Sequence, residues 1–230
     1  MLPLPQRINT IEQTICQACE RAGRKRDEVT VIAVTKQVSE ERTQHVLDQG
    51  ITHLGENRPE GLMAKQHVIP QGAVWHFIGN VQSRKVKEII NRVDYLHSLD
   101  RLSLAKEIQK RAVEPVDCFV QVNVSGEDSK SGLSPAETQS FIESLSSYDK
   151  IRVIGLMTMA PLTENRDTIR NVFRELRELR DQLAAEKMQH APVTKLSMGM
   201  SNDYSIAIEE GATHVRIGTA LVGSESEGDV

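Results

Sequence analysis

The chain has 230 residues, a formal net charge of -4 at pH 7 and a pI near 6.0. The length suits one large domain or two small ones, and the slightly acidic balance does not favour a nucleic-acid or membrane-surface partner. Its three cysteines, Cys16, Cys19 and Cys118, are too few for a disulfide framework and fit a reducing compartment. The N-terminus lacks the apolar stretch of a signal peptide, and no run approaches the roughly 18 apolar residues of a membrane span. We therefore expect a cytoplasmic protein.

The chain begins with a helical pattern and then alternates between two kinds of segment. Apolar residues recur at helical spacing over 8–22, which predicts an amphipathic helix. Short apolar runs rich in β-branched residues follow, separated by helical stretches. The predicted strands are 29–35, 52–55, 74–79, 95–99, 116–124, 151–158, 195–198 and 213–217. The predicted helices between them are 39–50, one from 59, 83–91, 101–112, one from 135, 163–187 and 202–210.

Eight strands separated by helices, with no linker between them, predict an α/β protein with a single (β/α)8 TIM barrel. We expect one domain over 1–230, with the barrel at about 29–223, an additional N-terminal helix at 8–22 and an acidic tail at 224–230. An open doubly wound sheet is the alternative. That fold favours a glycine-rich turn after the first strand, and the segment 35–39 contains no glycine.

Lys36 stands at the carboxyl end of the first predicted strand, after an almost entirely apolar run. A closed barrel places that end beside the loops after strands seven and eight, where phosphate sites commonly form. The loop after strand seven offers Gly199, which permits a positive φ, and Ser201 and Asn202, which are favourable helix N-caps.

The loop after strand eight contains Arg216, Gly218 and Thr219. Each feature alone is compatible with an ordinary role, such as a solvated lysine, a surface loop or an ion-pair partner. Together they place a lysine beside a phosphate site, which suits a Schiff base to a phosphorylated aldehyde. Pyridoxal phosphate is the cofactor with both groups.

Seven motifs in order along the chain resemble the pyridoxal phosphate homeostasis protein family. They are A-V-T-K at 33–36, G-E-N at 55–57, W-H-F-I-G at 75–79, V-N-V-S-G-E-D-S-K-S-G at 122–132, G-L-M-T at 155–158, S-M-G-M-S-N-D at 197–203 and V-R-I-G-T-A-L-V-G at 215–223. The resemblance spans nearly the whole chain.

This resemblance implies a fold-type III barrel, like the N-terminal barrel of alanine racemase, with pyridoxal phosphate held as a Schiff base on Lys36. It places Arg216 opposite the pyridine nitrogen, and Asn57 and His76 along the ring. It assigns the phosphate to Ser201, Gly218 and Thr219, with Asn202 nearby. The implied role is vitamin B6 homeostasis, which affects amino-acid and keto-acid metabolism, without robust catalysis.

Two other functions remain open. The first is a racemase or lyase acting on a small amino acid. Arg216 can only donate, which leaves the pyridine ring a poor electron sink, but this alone does not exclude catalysis because alanine racemase also uses an arginine. Racemisation also needs a second base, which in alanine racemase is a tyrosine from a C-terminal domain that this sequence does not contain. The second is a regulatory protein whose partner senses its cofactor loading.

The remaining features give weaker hypotheses. Cys16 and Cys19 lie on one helix without a second pair, and the histidines have no metal-ligand spacing, so we expect no metal. Lys130, in the loop after strand five, is a candidate second holder that passes the aldehyde to client enzymes. No long apolar surface pattern is present, so we expect a monomer.

Overall fold

The computed structural model describes residues 2–127 and 130–223, and within them eight parallel strands close into a barrel in chain order. The strands are β1 Thr30–Val34, β2 His53–Glu56, β3 Val74–Phe77, β4 Tyr95–Leu99, β5 Val116–Gln121, β6 Ile151–Met157, β7 Lys195–Ser197 and β8 His214–Ile217. β1 pairs with β2 and also with β8, where Ile32 lies opposite Arg216. The predicted closed barrel is confirmed, and the open sheet is wrong because an open sheet would leave its two edge strands unpaired.

Helices follow the strands around the outside of the barrel. They are α1 Leu4–Arg21, α2 Glu40–Asp48, α3 Pro59–Val68, α4 Val86–Ile89, α5 Leu102–Arg111, α6 Pro135–Ser144, α7 Arg166–Ala185, α8 Tyr204–Glu209 and α9 Thr219–Val222. Short 3-10 helices occupy Arg26–Glu28 and Ser83–Lys85. The helix predicted at 83–91 is therefore a 3-10 turn that leads into α4. The tail predicted at 224–230 lies outside the described residues.

The N-terminal helix α1 starts four residues before its predicted start. Pro3 is its N-cap and Pro5 lies in its first turn, where proline lacks only a hydrogen bond that the helix cannot make anyway. Its apolar face, which includes Ile11, Ile15 and Ala18, is buried in contact with α8 and α9. The additional helix thus covers the barrel where the last helix, α9, is only one turn long. No described helix is long and apolar enough to cross a membrane.

Aromatic side chains fill the inside of the barrel. The ring of His214, on β8, lies 5.1 Å from that of Phe119, on β5, and 6.2 Å from that of His76, on β3. Strands that are not neighbours can make such contacts only across the barrel interior. Barrel interiors are usually filled by branched aliphatic residues, so the histidines in this one require a physical reason.

Candidate functional site

A cavity of about 570 Å³ opens at the carboxyl ends of the strands. The sequence-predicted residues that line it are Lys36, Asn57, Ser201, Asn202, Arg216, Gly218 and Thr219. They come from the ends of β1, β2, β7 and β8, which the closed barrel brings to one rim. The tertiary structure therefore gathers seven of the eight predicted site residues into one cavity.

Lys36 lies in the turn directly after β1, and its side chain is exposed in the cavity. The preceding residue, Thr35, is fully buried. The Thr35 hydroxyl donates to Glu56 Oε1 at 2.6 Å, and the ammonium of Lys65 donates to the Thr35 carbonyl oxygen. Side chains of β2 and α3 therefore hold the turn that carries Lys36 in place.

Glu56 and Lys65 form a buried ion pair, with Nζ and Oε1 2.5 Å apart and the two residues only 1% and 4% exposed. A buried charge is tolerated when it is paired and hydrogen-bonded, and here each partner also bonds Thr35. Glu56 is the middle residue of the G-E-N motif. Sequence analysis assigned it no role, and Lys65 was missed because nothing in its helix distinguishes it from a surface lysine.

Arg216, on β8, is 5% exposed and forms part of the cavity wall. Its Nη1 donates to Ser197 Oγ at 2.6 Å and its Nη2 donates to the Thr158 carbonyl at 3.0 Å. Burial lowers the pKa of Arg216 to about 10, and the charge of Asp203 opposes that shift. The guanidinium therefore remains a cation at neutral pH and acts only as a hydrogen-bond donor.

The loop after β7 is held to β8 by a backbone bond from Arg216 N to Gly199 O at 2.9 Å. Gly199 has the positive φ of 93° that sequence analysis allowed for it, and a Cβ there would meet Ala207 Cβ at 2.6 Å. Only glycine satisfies both the backbone conformation and the close packing. This constraint explains the glycine in S-M-G-M-S.

The predicted N-caps at Ser201 and Asn202 are wrong. Helix α8 begins at Tyr204 with Asp203 at its N-cap position. The carboxylate of Asp203 accepts a bond from Met200 N, which closes a turn before the helix and leaves Ser201 and Asn202 in that turn. Burial raises the pKa of Asp203. Ser201 and Asn202 still line the cavity, but as turn residues rather than as caps.

The loop after β8 turns at Gly218 directly into α9, whose first residue is Thr219. Gly218 and Thr219 line the cavity on the side next to β1. The first N–H groups of any helix lack partners within that helix. The first N–H groups of α9 and the hydroxyls of Ser201 and Thr219 are neutral hydrogen-bond donors that this rim offers to an anion.

Asn57 follows β2, and its backbone packs closely against Gly79 in the loop after β3. A Cβ on Gly79 would lie 2.3 Å from the Asn57 carbonyl oxygen, so no larger residue fits without moving one of the two loops. This accounts for the glycine that ends W-H-F-I-G. Asn57, Gly79 and Asn80 all line the cavity.

His76 was expected along the cofactor ring, but the structure does not place it among the residues that line the cavity. It is fully buried inside the barrel, where its ring stacks on Tyr95 at 4.5 Å and its two nitrogens pair with His53 and His97. Side chains alternate in direction along a strand, and the predicted strand gave no indication of which face pointed to the site.

The loop after β6 forms a rim that sequence analysis missed. Met159, Pro161 and Leu162 line the cavity, together with Met200 from the loop after β7. Leu162 is fully exposed. The run M-A-P-L at 159–162 was the available signal, because apolar side chains continue into the loop after the strand.

Lys130 lies beside this rim. Its Nζ is 2.6 Å from Glu127 Oε1 and 3.4 Å from the carbonyl oxygen of Met159. The ammonium of Lys130 and the hydroxyl of Ser125 lower the pKa of Glu127, which favours its carboxylate form. The proposed part of Lys130 in transfer stays a prediction.

All three tyrosines fall in the described part of the chain, and none of them lines the cavity. Tyr95 stacks on His76 inside the barrel, and Tyr148 and Tyr204 pack against the main core. Tyr204 occupies the first position of α8. No tyrosine is therefore placed to act as a second base.

Lys36 at the end of β1 and Arg216 on β8 share one cavity in a closed barrel. Comparisons with known proteins identify the class to which this barrel belongs. The family model for "Alanine racemase, N-terminal domain" matches residues 8–226. A curated "Pyridoxal phosphate homeostasis protein" of Aquifex aeolicus is 41% identical over 222 residues, which cover 95% of this chain and 96% of that protein. The chain belongs to the pyridoxal phosphate homeostasis protein family.

Solved structures agree with this assignment. PipY of Synechococcus elongatus, with PLP bound, is 29% identical with a TM-score of 0.80, covering 91% of this chain and all of that one. An alanine racemase from Corynebacterium glutamicum is 17% identical with a TM-score of 0.67, covering 96% of this chain and 62% of that chain. At that identity the racemase shows a shared fold alone.

Proposed function

We propose that this protein binds pyridoxal phosphate through Lys36 and holds it for vitamin B6 homeostasis, with effects on amino-acid and keto-acid metabolism. The observation that carries the proposal is the meeting of Lys36 and Arg216 in one cavity whose rim is formed by the loops at 199–203 and 218–219. PipY, a relative whose structure has PLP bound, supports the same interpretation.

Lys36 provides the amine and its neighbours fix where that amine is presented. Pyridoxal phosphate supplies an electrophilic aldehyde when bound, and a primary amine is the group that captures it. Thr35, held by Glu56 and Lys65, sets the position of the turn, so only the flexible Lys36 side chain has to move.

The phosphate is assigned to the rim made by Ser201, Gly218 and Thr219, with Asn202 beside it. Hydroxyls and free N–H groups suit a phosphate, and the chain brings them from two loops that the bond from Arg216 N to Gly199 O ties together. Asn57 and its loop neighbours then border the ring.

The chemistry of Arg216 fits a carrier, although alanine racemase also uses an arginine. Its guanidinium is held by Ser197 and by the Thr158 carbonyl, and it can offer the pyridine nitrogen only hydrogen-bond donors. The nitrogen must then stay unprotonated, and such a ring stabilises a carbanion weakly. The position of the three tyrosines outside the cavity also counts against a racemase.

Three further features belong to the proposal. We expect the protein to act in the cytoplasm, since Cys16, Cys19 and Cys118 are all free thiols. We expect a monomer that is loaded with pyridoxal phosphate and delivers it to client enzymes that need this cofactor. A regulatory partner that distinguishes the loaded from the empty protein remains the other non-enzymatic role.

The test is a visible absorbance spectrum of the protein with added pyridoxal phosphate, before and after borohydride, followed by peptide mass mapping. We expect a yellow band that borohydride converts into a stable adduct on Lys36. Lys36→Ala should lose the adduct, whereas Lys195→Ala, which removes an exposed lysine from the start of β7, should keep it. Equal labelling of both variants would reject the proposal. Steady turnover of an amino-acid enantiomer would favour the enzyme.

A further inference from the structure

A continuous chain of hydrogen bonds runs from Arg216 into the barrel interior. Arg216 Nη1 contacts Ser197 Oγ at 2.6 Å, and Ser197 Oγ contacts His97 Nδ1 at 2.8 Å. His97 Nε2 lies 2.9 Å from His76 Nδ1, and His76 Nε2 lies 2.9 Å from His53 Nδ1. These five residues, on strands β2, β3, β4, β7 and β8, are called the histidine chain below.

The chemistry of Arg216 decides the direction of every bond in the chain. Because a guanidinium only donates, Ser197 Oγ accepts from Arg216 and its single hydroxyl hydrogen is available for His97 Nδ1. His97 then carries its hydrogen on Nε2 and donates it to His76 Nδ1. His76 in turn donates from Nε2 to His53 Nδ1, since a neutral imidazole has one donor and one acceptor.

The reverse direction leaves a buried group unpaired. If His97 donated from Nδ1, Ser197 Oγ would accept two bonds, and its hydrogen would have no acceptor among the described contacts of that hydroxyl. An unsatisfied buried donor is costly. His97 and His76 are both fully buried, and burial holds the pKa of each well below its usual value, so both rings stay neutral.

The far end of the chain reaches the opposite end of the barrel. His53 is the first residue of β2 and lines a second cavity, of about 370 Å³, between α1 and the amino-terminal ends of the strands. In the assigned direction, its Nε2 is the donor at the end of the chain. The histidine chain therefore crosses the barrel from the first cavity to the second.

We propose that Ser197, His97, His76 and His53 are positioning residues for Arg216. Their chain of oriented hydrogen bonds points the Ser197 lone pair at the guanidinium and so fixes the donors that Arg216 presents to the cavity. The inference rests on the proposed function only for the ligand that Arg216 contacts in the cavity. The histidine chain itself can be tested on the protein without cofactor.

A metal site and simple space-filling both account less well for the buried histidines. The rings meet nitrogen to nitrogen in a line instead of converging on one point, and no group of described residues is arranged to hold a metal ion. His214 is also buried inside the barrel, and it serves as the example of a histidine that fills space. Among the described residues, the hydrogen-bond partner of its Nδ1 is the neighbouring Thr213 hydroxyl, so it provides a matched control outside the histidine chain.

The first experiment is a long-range proton–nitrogen correlation spectrum of the 15N-labelled protein without cofactor at neutral pH. We expect His53, His76 and His97 each to carry hydrogen on Nε2 and not on Nδ1. A hydrogen on Nδ1 of His97 or His76 would overturn the proposal without any substitution.

Variants then separate positioning from packing. His76→Phe keeps a ring but removes both bonds, and we expect His97 to lose its single tautomer and the Arg216 guanidinium signals to shift. His76→Gln retains a donor and an acceptor and should restore both signals. The control His214→Phe should leave them unchanged. Unchanged His97 and Arg216 signals in His76→Phe would also overturn the proposal.

The cofactor readout is the Kd for pyridoxal phosphate. We expect His76→Phe to raise it about ten-fold, as for one weakened charge-assisted hydrogen bond, and His214→Phe to leave it unchanged. A Kd unaffected by His76→Phe would contradict the positioning role. If Lys36→Ala still captured the cofactor, the proposed function would fail, while the tautomer result would stand on its own.

Discussion

The ammonium of Lys65 donates a hydrogen bond to the backbone carbonyl of Thr35, the residue immediately before Lys36. The same ammonium is paired with Glu56, and both charged residues are almost completely buried. A helix on the outside of the barrel thus holds the turn that presents Lys36.

Removing one member of this ion pair should destabilise the protein strongly. We expect Lys65→Met to lower the free energy of unfolding by about 3–5 kcal/mol, because it leaves the Glu56 carboxylate buried without its partner. The double variant Lys65→Met/Glu56→Gln should recover most of that loss. Urea denaturation of the protein without cofactor measures both, and equal stabilities for the single and double variants would contradict the ion-pair account.

The double variant also tests positioning of Lys36. We expect it to react more slowly with pyridoxal phosphate, because the Thr35 carbonyl has lost its donor. It should still bind pyridoxine phosphate, which lacks the aldehyde and needs only the phosphate and ring contacts. Weaker binding of both ligands by the same factor would show general damage to the cavity and no specific effect on the lysine.

Replacing Arg216 with lysine should keep the charge and lose the paired geometry. A lysine cannot contact Ser197 and the Thr158 carbonyl through a planar fork, so we expect pyridoxal phosphate affinity to fall by about 1–3 kcal/mol, or roughly 5- to 150-fold. Isothermal titration gives the value. An unchanged affinity would mean that only the charge of Arg216 matters.

The buried histidines predict a loss of stability in acid. Burial lowers the pKa of His214 from 6.5 to about 3 and holds the pKa values of His76 and His97 well below 6.5. Below pH 6.5 the unfolded chain binds protons that the folded chain does not. The free energy of unfolding should therefore fall as pH drops from about 6.5 towards about 3, by about 1.4 kcal/mol per pH unit for each such histidine.

Urea titrations at several pH values measure this slope. His214→Phe should make it shallower by the share of one histidine, while replacement of the exposed His67 on α3 should leave it unchanged. A slope that His214→Phe does not alter would show that His214 is not held neutral by its burial.

Lys130 beside the cavity rim is the candidate second holder of the aldehyde. If it takes part in delivery, Lys130→Ala should slow transfer of pyridoxal phosphate to an apoenzyme while binding at Lys36 stays intact. The matched control is Lys110→Ala, an exposed lysine on α5. Unchanged transfer in Lys130→Ala would reject the idea and leave the Lys130–Glu127 pair as a surface contact.

The elements whose bounds were predicted best from the sequence are those with a strong local pattern. β4 has the predicted bounds, and the helix predicted from residue 39 begins as α2 with Ser39 at its N-cap, since the Ser39 hydroxyl accepts from Arg42 N at 3.2 Å. The N-caps at Ser201 and Asn202 failed because three capping residues stand in a row, and a turn closed by the bond from Met200 N to Asp203 precedes the helix, which begins only at Tyr204.

The sequence by itself determined the barrel, the lysine at the end of β1 and the family, because alternating strand and helix patterns and short motifs are local properties of the chain. It indicated histidines within four apolar strands, at His53, His76, His97 and His214, but not their relation to one another. Only the tertiary structure decided that His76 faces the interior, that Lys65 reaches Thr35 and that the histidine chain ends on Arg216. Those contacts join strands and helices that are distant in sequence, so their partners follow from barrel closure and register, which no local pattern contains.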